Sequence, residues 1–248
     1  MSATPTVALP VWSRMGVPHW HPERIGPRLF IPGFAARARS YEPGLPERWT
    51  ALQPPAGRSL GQLRDWLLAE VEARPVPVTL AGHSMGGALA VLAAAATPER
   101  VERIVLVSPA GLPLSKPLRM IVRDFLRAAR DGRYRRDDLL FPLTRLARYP
   151  RAAAQLARVL RELDLSHEMA RVRALGVPAA VIGCSTDTLT PPSTSLRTAE
   201  LLGGRYREVG YDGGHVWMFG NWERLARELR RALHESPTDP RASAPAAL

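Results

Sequence analysis

One local feature constrains this chain more than any other. A continuous apolar run, Val76 to Ala81, broken only by Pro77 and Thr79, opens straight into Gly82-His83-Ser84-Met85-Gly86-Gly87, and a long apolar stretch follows to Ala96. A strand has to become a helix within two or three residues. Such a turn crowds the positions two before and two after its centre, which explains glycine at 82 and 86. It also lifts the central serine out of the backbone, where a weak hydroxyl nucleophile can meet a base. The helix behind it presents unpaired backbone N–H groups, and that of Met85 stands where a developing oxyanion would need a donor. The same residues could serve merely as a tight turn with a capping serine. The rest of the chain must decide.

The flanking segments repeat the alternation of strand and helix. Arg28 to Ile31 is a short apolar run stopped by Pro32-Gly33, Trp49 to Leu52 suggests a second strand, and Leu60 to Ala73 has helical spacing. Val101 to Val107, Ala179 to Gly183 and Arg205 to Val209 read as further strands, with helices over Leu196 to Leu202 and Trp222 to Leu233. Strands that are apolar along their whole length belong to a parallel sheet covered on both faces, so the expected class is α/β with a mostly parallel central sheet between helical layers. Residues 112–173 break the alternation with helical periods and turns alone, and read as an inserted helical cap. The core then comprises 28–111 and 174–235. Five prolines make residues 1–27 an extended arm, which shortens the sheet to about six strands, and the Pro- and Ala-rich residues 236–248 read as a disordered tail.

Composition removes several classes of function. At 248 residues with 46% hydrophobic and 23% charged, the chain can bury a full core without staples. Cys184 is its single cysteine, so no internal disulfide can form and a reducing, cytoplasmic setting is expected. The net charge of +11 would suit a nucleic acid, yet the basic residues, all arginine but for Lys116, are scattered among carboxylates instead of massed in a stripe. Nucleic acid is therefore not the expected partner. No segment reaches the roughly 18 apolar residues of a membrane span, and no secretory leader precedes the first strand. No phosphate-binding glycine loop or cofactor fingerprint occurs, and His19-x-His21 is a poor metal pair, so neither cofactor nor metal is expected.

With Gly82-His83-Ser84-Met85-Gly86-Gly87 between strand and helix, the chain resembles the alpha/beta-hydrolase family from about Arg28 to His234. Ala179-Ala180-Val181-Ile182-Gly183-Cys184-Ser185-Thr186-Asp187 is similar to that family's acid-bearing strand, and Tyr211-Asp212-Gly213-Gly214-His215 to its glycine-histidine turn. The resemblance implies a triad of Ser84, Asp187 and His215, in the family's chain order, and an oxyanion hole from the backbone N–H groups of Phe34 and Met85. Pro32 stands where the family usually has histidine before the glycine. Two aspartates precede His215. Strand ends converge in an open parallel sheet, which favours Asp187, while Asp212 suits a turn-forming role.

Together these readings lead to a serine hydrolase that cleaves a carboxylic ester or thioester through an acyl-enzyme. Met120, Phe125 and Phe141 of the cap, with Trp217 after the histidine turn, are the expected contacts for an apolar acyl group. An acyltransferase or thioesterase step in biosynthesis is the nearest alternative, and a basic anion- or nucleic-acid-binding protein on the same fold is the alternative from another class. Oligomeric state is not legible.

Overall fold

The structure, a computed structural model, describes residues 26–234 apart from 115, 118, 121, 122, 124, 125 and 128–135. Phe125, nearly all of the proline-rich arm and the C-terminal tail lie outside the described residues. Six strands form one sheet: β1 (Arg28–Ile31), β2 (Trp49–Ala51), β3 (Val78–His83), β4 (Val101–Val107), β5 (Ala179–Cys184) and β6 (Arg205–Val209). Their order is β2-β1-β3-β4-β5-β6, and every pairing is parallel. The chain moves outward from β1 to β2 and then returns to the other side of β1 as β3. That reversal opens a crevice at the C-terminal ends of β1 and β3, where a doubly wound sheet accommodates ligands.

The strands alternate between two apolar layers. Leu29, Ile31, Leu80, Ile104, Leu106 and Val181 face one layer, while Phe30, Ala81, Val105, Val107 and Ile182 face the other. On the first face pack α1 (Leu60–Glu72), α2 (Met85–Ala96), α5 (Ser166–Ala174) and α6 (Pro192–Leu202). Ser59 and Gln62 close a capping box that starts α1. Helix α2 is made almost wholly of small apolar residues and is buried nearly all round, which is why it has no polar stripe. Helix α7 (Trp222–His234) covers the second face with Leu225 and Leu229.

Two expectations shift. Strand β3 begins two residues later than the apolar run and continues to His83, paired with Val107 of β4, because Pro75 and Pro77 have no N–H to give a ladder. Within 112–173, α3 (Arg136–Arg148) and α4 (Pro150–Glu162) carry exposed outer faces, but α5 buries Met169 and Val172 completely against the core. The last helix of that insertion is thus part of the sheet's first layer. No helix among the described residues is long and apolar enough to cross a membrane.

Polar ties on the second face hold the loops at the strand ends. Glu228 of α7 is fully buried and accepts from Arg207 of β6 at 2.5 Å and from the Tyr211 hydroxyl at 3.1 Å. Thr186, after β5, donates its hydroxyl to the Tyr211 carbonyl at 2.8 Å. At the end of β3, buried His83 lies 2.9 Å through Nε2 from the carbonyl oxygen of His215 and 2.8 Å through Nδ1 from the Tyr41 hydroxyl. A carbonyl only accepts, so Nε2 carries the proton and Nδ1 accepts from Tyr41. Burial, and then the neighbouring His215, push the His83 pKa down to about 3, and the ring is neutral near pH 7.

A histidine depressed on folding takes up a proton more readily in the unfolded chain. Its contribution is complete above its ordinary value of 6.5 and is lost as pH falls toward about 3. Between pH 6.5 and 4.5 that loss is about 2–3 kcal/mol, or roughly 4–10 °C in melting temperature. Thermal melts of the wild type should fall by about that much more across this window than those of His83→Gln, whose amide can still donate to the His215 carbonyl. Parallel curves would show that His83 is not buried neutral.

Candidate active site

Ser84 joins β3 to α2 with φ 53° and ψ −118°, a left-handed conformation that costs a non-glycine residue energy and that the surrounding bonds must hold. Its N–H donates to the Val107 carbonyl at 3.0 Å, and its carbonyl accepts from Gly87, Ala88 and Ala110. The two glycines of the motif are steric necessities. A Cβ at Gly82 would stand 2.2 Å from the Gly86 carbonyl carbon, and one at Gly86 would stand 2.1 Å from the Ile31 carbonyl oxygen.

This second contact presses the end of β1 against the start of α2. The loop beyond it carries Gly33, where a Cβ would lie 3.4 Å from that of Ser84. The N–H groups of Phe34 and Met85 donate to no other group among the described residues. Both residues line one cavity, together with Leu63, Leu156, Arg58 and Arg145. Two free donors near a half-buried hydroxyl can stabilise an oxyanion. The substitution of Pro32 leaves that backbone geometry available, since Pro32 itself is buried and Gly33 supplies the close approach.

Asp187 and His215 come from loops after β5 and β6. His215 Nδ1 donates to Asp187 Oδ2 at 2.9 Å, with both side chains buried. Asp187 Oδ1 accepts from the backbone N–H groups of Leu189 and Thr190 at 2.8 and 2.9 Å, and Thr190 Oγ1 lies 2.8 Å from Oδ2. Burial by itself would raise this carboxyl's pKa. The charge of His215 and the donated hydrogen bonds outweigh it and hold the group below the usual carboxylate range, so Asp187 is ionised. The turn before His215 needs its glycines, because Gly213 and Gly214 have φ 109° and 56°. Asp212, the other aspartate of this turn, is exposed and away from the histidine ring's bonds.

Ser84 reaches this pair through its neighbour: the His83 and His215 rings lie 4.8 Å apart, and His83 bonds the His215 backbone. No hydrogen bond joins Ser84 Oγ to His215 among the described residues; an unliganded triad often tightens that link only around substrate. Of the residues expected to touch an acyl group, Trp217 is buried in the second-face core, its ring 5.3 Å from that of Tyr211, so it supports the histidine turn from beneath instead of facing a ligand. Phe141 stands half-buried between the guanidinium groups of Arg37 and Arg145, and Met120 is half-buried; neither lines the cavity. Thr190 and the Tyr41–His83 pair were not singled out from sequence. Thr190 had a signal, three residues past an aspartate in a turn; Tyr41 had none. No three His, Cys, Asp or Glu side chains gather as metal ligands among the described residues.

Comparison with known proteins bears on the fold. A curated relative from Mycobacterium phage D29, named as a candidate non-heme haloperoxidase, is 29% identical over 178 residues, and the match spans 62% of each chain. Among solved structures, the enol-lactonase from Burkholderia xenovorans LB400 superposes with a TM-score of 0.58 at 20% identity, over 87% of this chain and 94% of that one. The CarC serine hydrolase of carbazole degradation superposes with a TM-score of 0.64 at 20% identity, over 84% and 91%. At such identities these structures establish the fold alone. The description of the alpha/beta hydrolase family matches residues 10–228 directly, and the chain belongs to that family.

Proposed function

We propose that the protein is a serine hydrolase that cleaves a small carboxylic ester or thioester through an acyl-enzyme. The observation that carries this reading is the buried Asp187–His215 pair at 2.9 Å, held beside a serine on a strained turn. With Nδ1 committed to Asp187, Nε2 of His215 is the nitrogen left for Ser84. It takes the hydroxyl proton as Oγ attacks the acyl carbon, and the carbonyl electron pair moves onto an oxygen held by the Phe34 and Met85 N–H groups. Collapse of that intermediate breaks the bond to the leaving alcohol or thiol, which leaves with the proton from His215. Water then repeats the sequence on the acyl-serine: His215 accepts its proton, the acid departs, and Ser84 regains its hydrogen. Asp187 stabilises the imidazolium in both halves.

The acyl group fits against Leu63 and Leu156, beneath α3 and α4 acting as a cap. The buried free Cys184 suits a reducing, cytoplasmic setting. A second reading is favoured by the phage relative: hydrogen peroxide in place of water would release a peracid from the same acyl-serine. Peracid formation from an ester and peroxide, measured beside hydrolysis, separates the two acceptors.

Steady-state turnover of 4-nitrophenyl acetate and butyrate tests the reading. Ser84→Ala should lose at least about 10³-fold in kcat with an unchanged melting profile; retention of more than a tenth of the activity in contaminant-free protein contradicts it. The two aspartates should separate sharply. Asp187→Asn should cost about 10³–10⁴-fold, because the imidazolium loses its partner and the ring its tautomer, while Asp212→Asn should cost less than about tenfold. The reverse ranking would move the acid's role to Asp212.

A further inference from the structure

The cavity lined by Phe34 and Met85 also carries positive charge. Arg58 and Arg145 line it, and no acidic residue does. Neither arginine pairs with a carboxylate among the described residues, whereas Arg64, Arg74, Arg161, Arg197 and Arg207 each do. Arg58 is exposed and makes no hydrogen bond to the described residues. Arg145 is half-buried and spends one Nη2 bond on the Pro54 carbonyl at 2.7 Å; its guanidinium sits 5.3 Å from the Phe141 ring centre. Arg37 faces the same ring at 5.6 Å, so like charges crowd one aromatic side chain. Burial lowers the Arg145 pKa from its ordinary value, a sign that the cation is held out of water without a counter-ion. A protein that half-buries a guanidinium in the cavity that Phe34 and Met85 also line, with no carboxylate of its own, leaves the anion to be supplied by what binds there.

We propose that the substrate carries its own carboxylate at the end of a short acyl chain, and that Arg145 and Arg58 bind it. This rests on the hydrolase reading above for its orientation. With the acyl carbonyl at the Phe34 and Met85 N–H groups, the chain runs past Leu63 and Leu156 and its far end meets the two guanidinium groups. The lining combines Leu63 and Leu156 with two arginines, which suits an apolar chain that ends in a carboxylate. A dicarboxylic half-ester is the simplest acyl donor with that pattern. The site therefore selects by charge at the end of the acyl chain more than by its length.

The test compares mono-4-nitrophenyl glutarate with 4-nitrophenyl pentanoate, which match in chain length and differ in the terminal carboxylate. The wild type should favour the glutarate ester in kcat/KM by about tenfold or more, and added salt should reduce the ratio. Arg145→Gln and Arg58→Gln should each lower that ratio at least about threefold, and the double variant should bring it near one. Arg58→Gln removes an exposed side chain with no described bond, so its folding is not at issue. A ratio near or below one in the wild type, or one that neither variant changes, overturns the proposal. Should neither ester turn over, the esterase reading fails, and the anion site is read by binding: about 10 mM glutarate should raise the melting temperature of the wild type and not that of the double variant. Equal shifts in both proteins would overturn the site as well.

Discussion

A hydrogen atom where other residues have a methyl group, at Gly86, sets the distance on which the active site depends. The Cα of Gly86 approaches the Ile31 carbonyl so closely that a Cβ would overlap it at 2.1 Å. Because of this contact, the loop after β1 and the first turn of α2 meet, and Phe34 and Met85, from separate elements, line one cavity. Gly82 makes the same allowance from the strand side. Between the two glycines Ser84 is held at φ 53°, a conformation that costs on the order of 1–3 kcal/mol and that the bonds to Val107, Gly87, Ala88 and Ala110 sustain. Backbone packing, and not side-chain choice, thus places Ser84.

Charge is arranged on the same scaffold by competing effects of known direction. Burial opposes ionisation of Asp187, but donated bonds from Leu189, Thr190 and His215 prevail, so a carboxylate persists in the interior. At His83 burial prevails instead, and the ring stays neutral as a two-ended tie between Tyr41 and the His215 backbone. Two histidines with rings 4.8 Å apart therefore serve different ends. His83 is held neutral and braces the loop, and His215 bonds the Asp187 carboxylate. The two arginines of the cavity, Arg58 and Arg145, have no carboxylate partner among the described residues.

The sheet and the reactive residues were legible because each leaves a local mark. Apolar runs identify strands covered on both faces, and β4, interrupted by Glu102 and Arg103, begins and ends where its run does. The strand-to-helix turn has glycines at fixed offsets around Ser84, and Asp187 and His215 follow strands that the parallel order brings together. Long-range ties leave no such mark. The bond from His83 to the His215 carbonyl spans 132 positions and appears only once the strands are stacked. Trp217 shows the opposite limit: an aromatic beside a histidine turn can face a ligand or the core, and here the second layer covers it. Helix α5 lies in a segment whose periodicity is helical throughout, so only packing separates it from α3 and α4. Arg58 and Arg145 were hidden by number, being two among the 34 basic residues of the chain.

The most direct measurement of the central claim is covalent capture of the nucleophile. The protein is treated with a fluorophosphonate, weighed intact and digested for peptide mapping. An activated serine at the end of β3 predicts one adduct per chain, on the peptide that contains Ser84, and strong loss of labelling in Asp187→Asn. No adduct on the folded protein, or an adduct on another residue, would contradict the account.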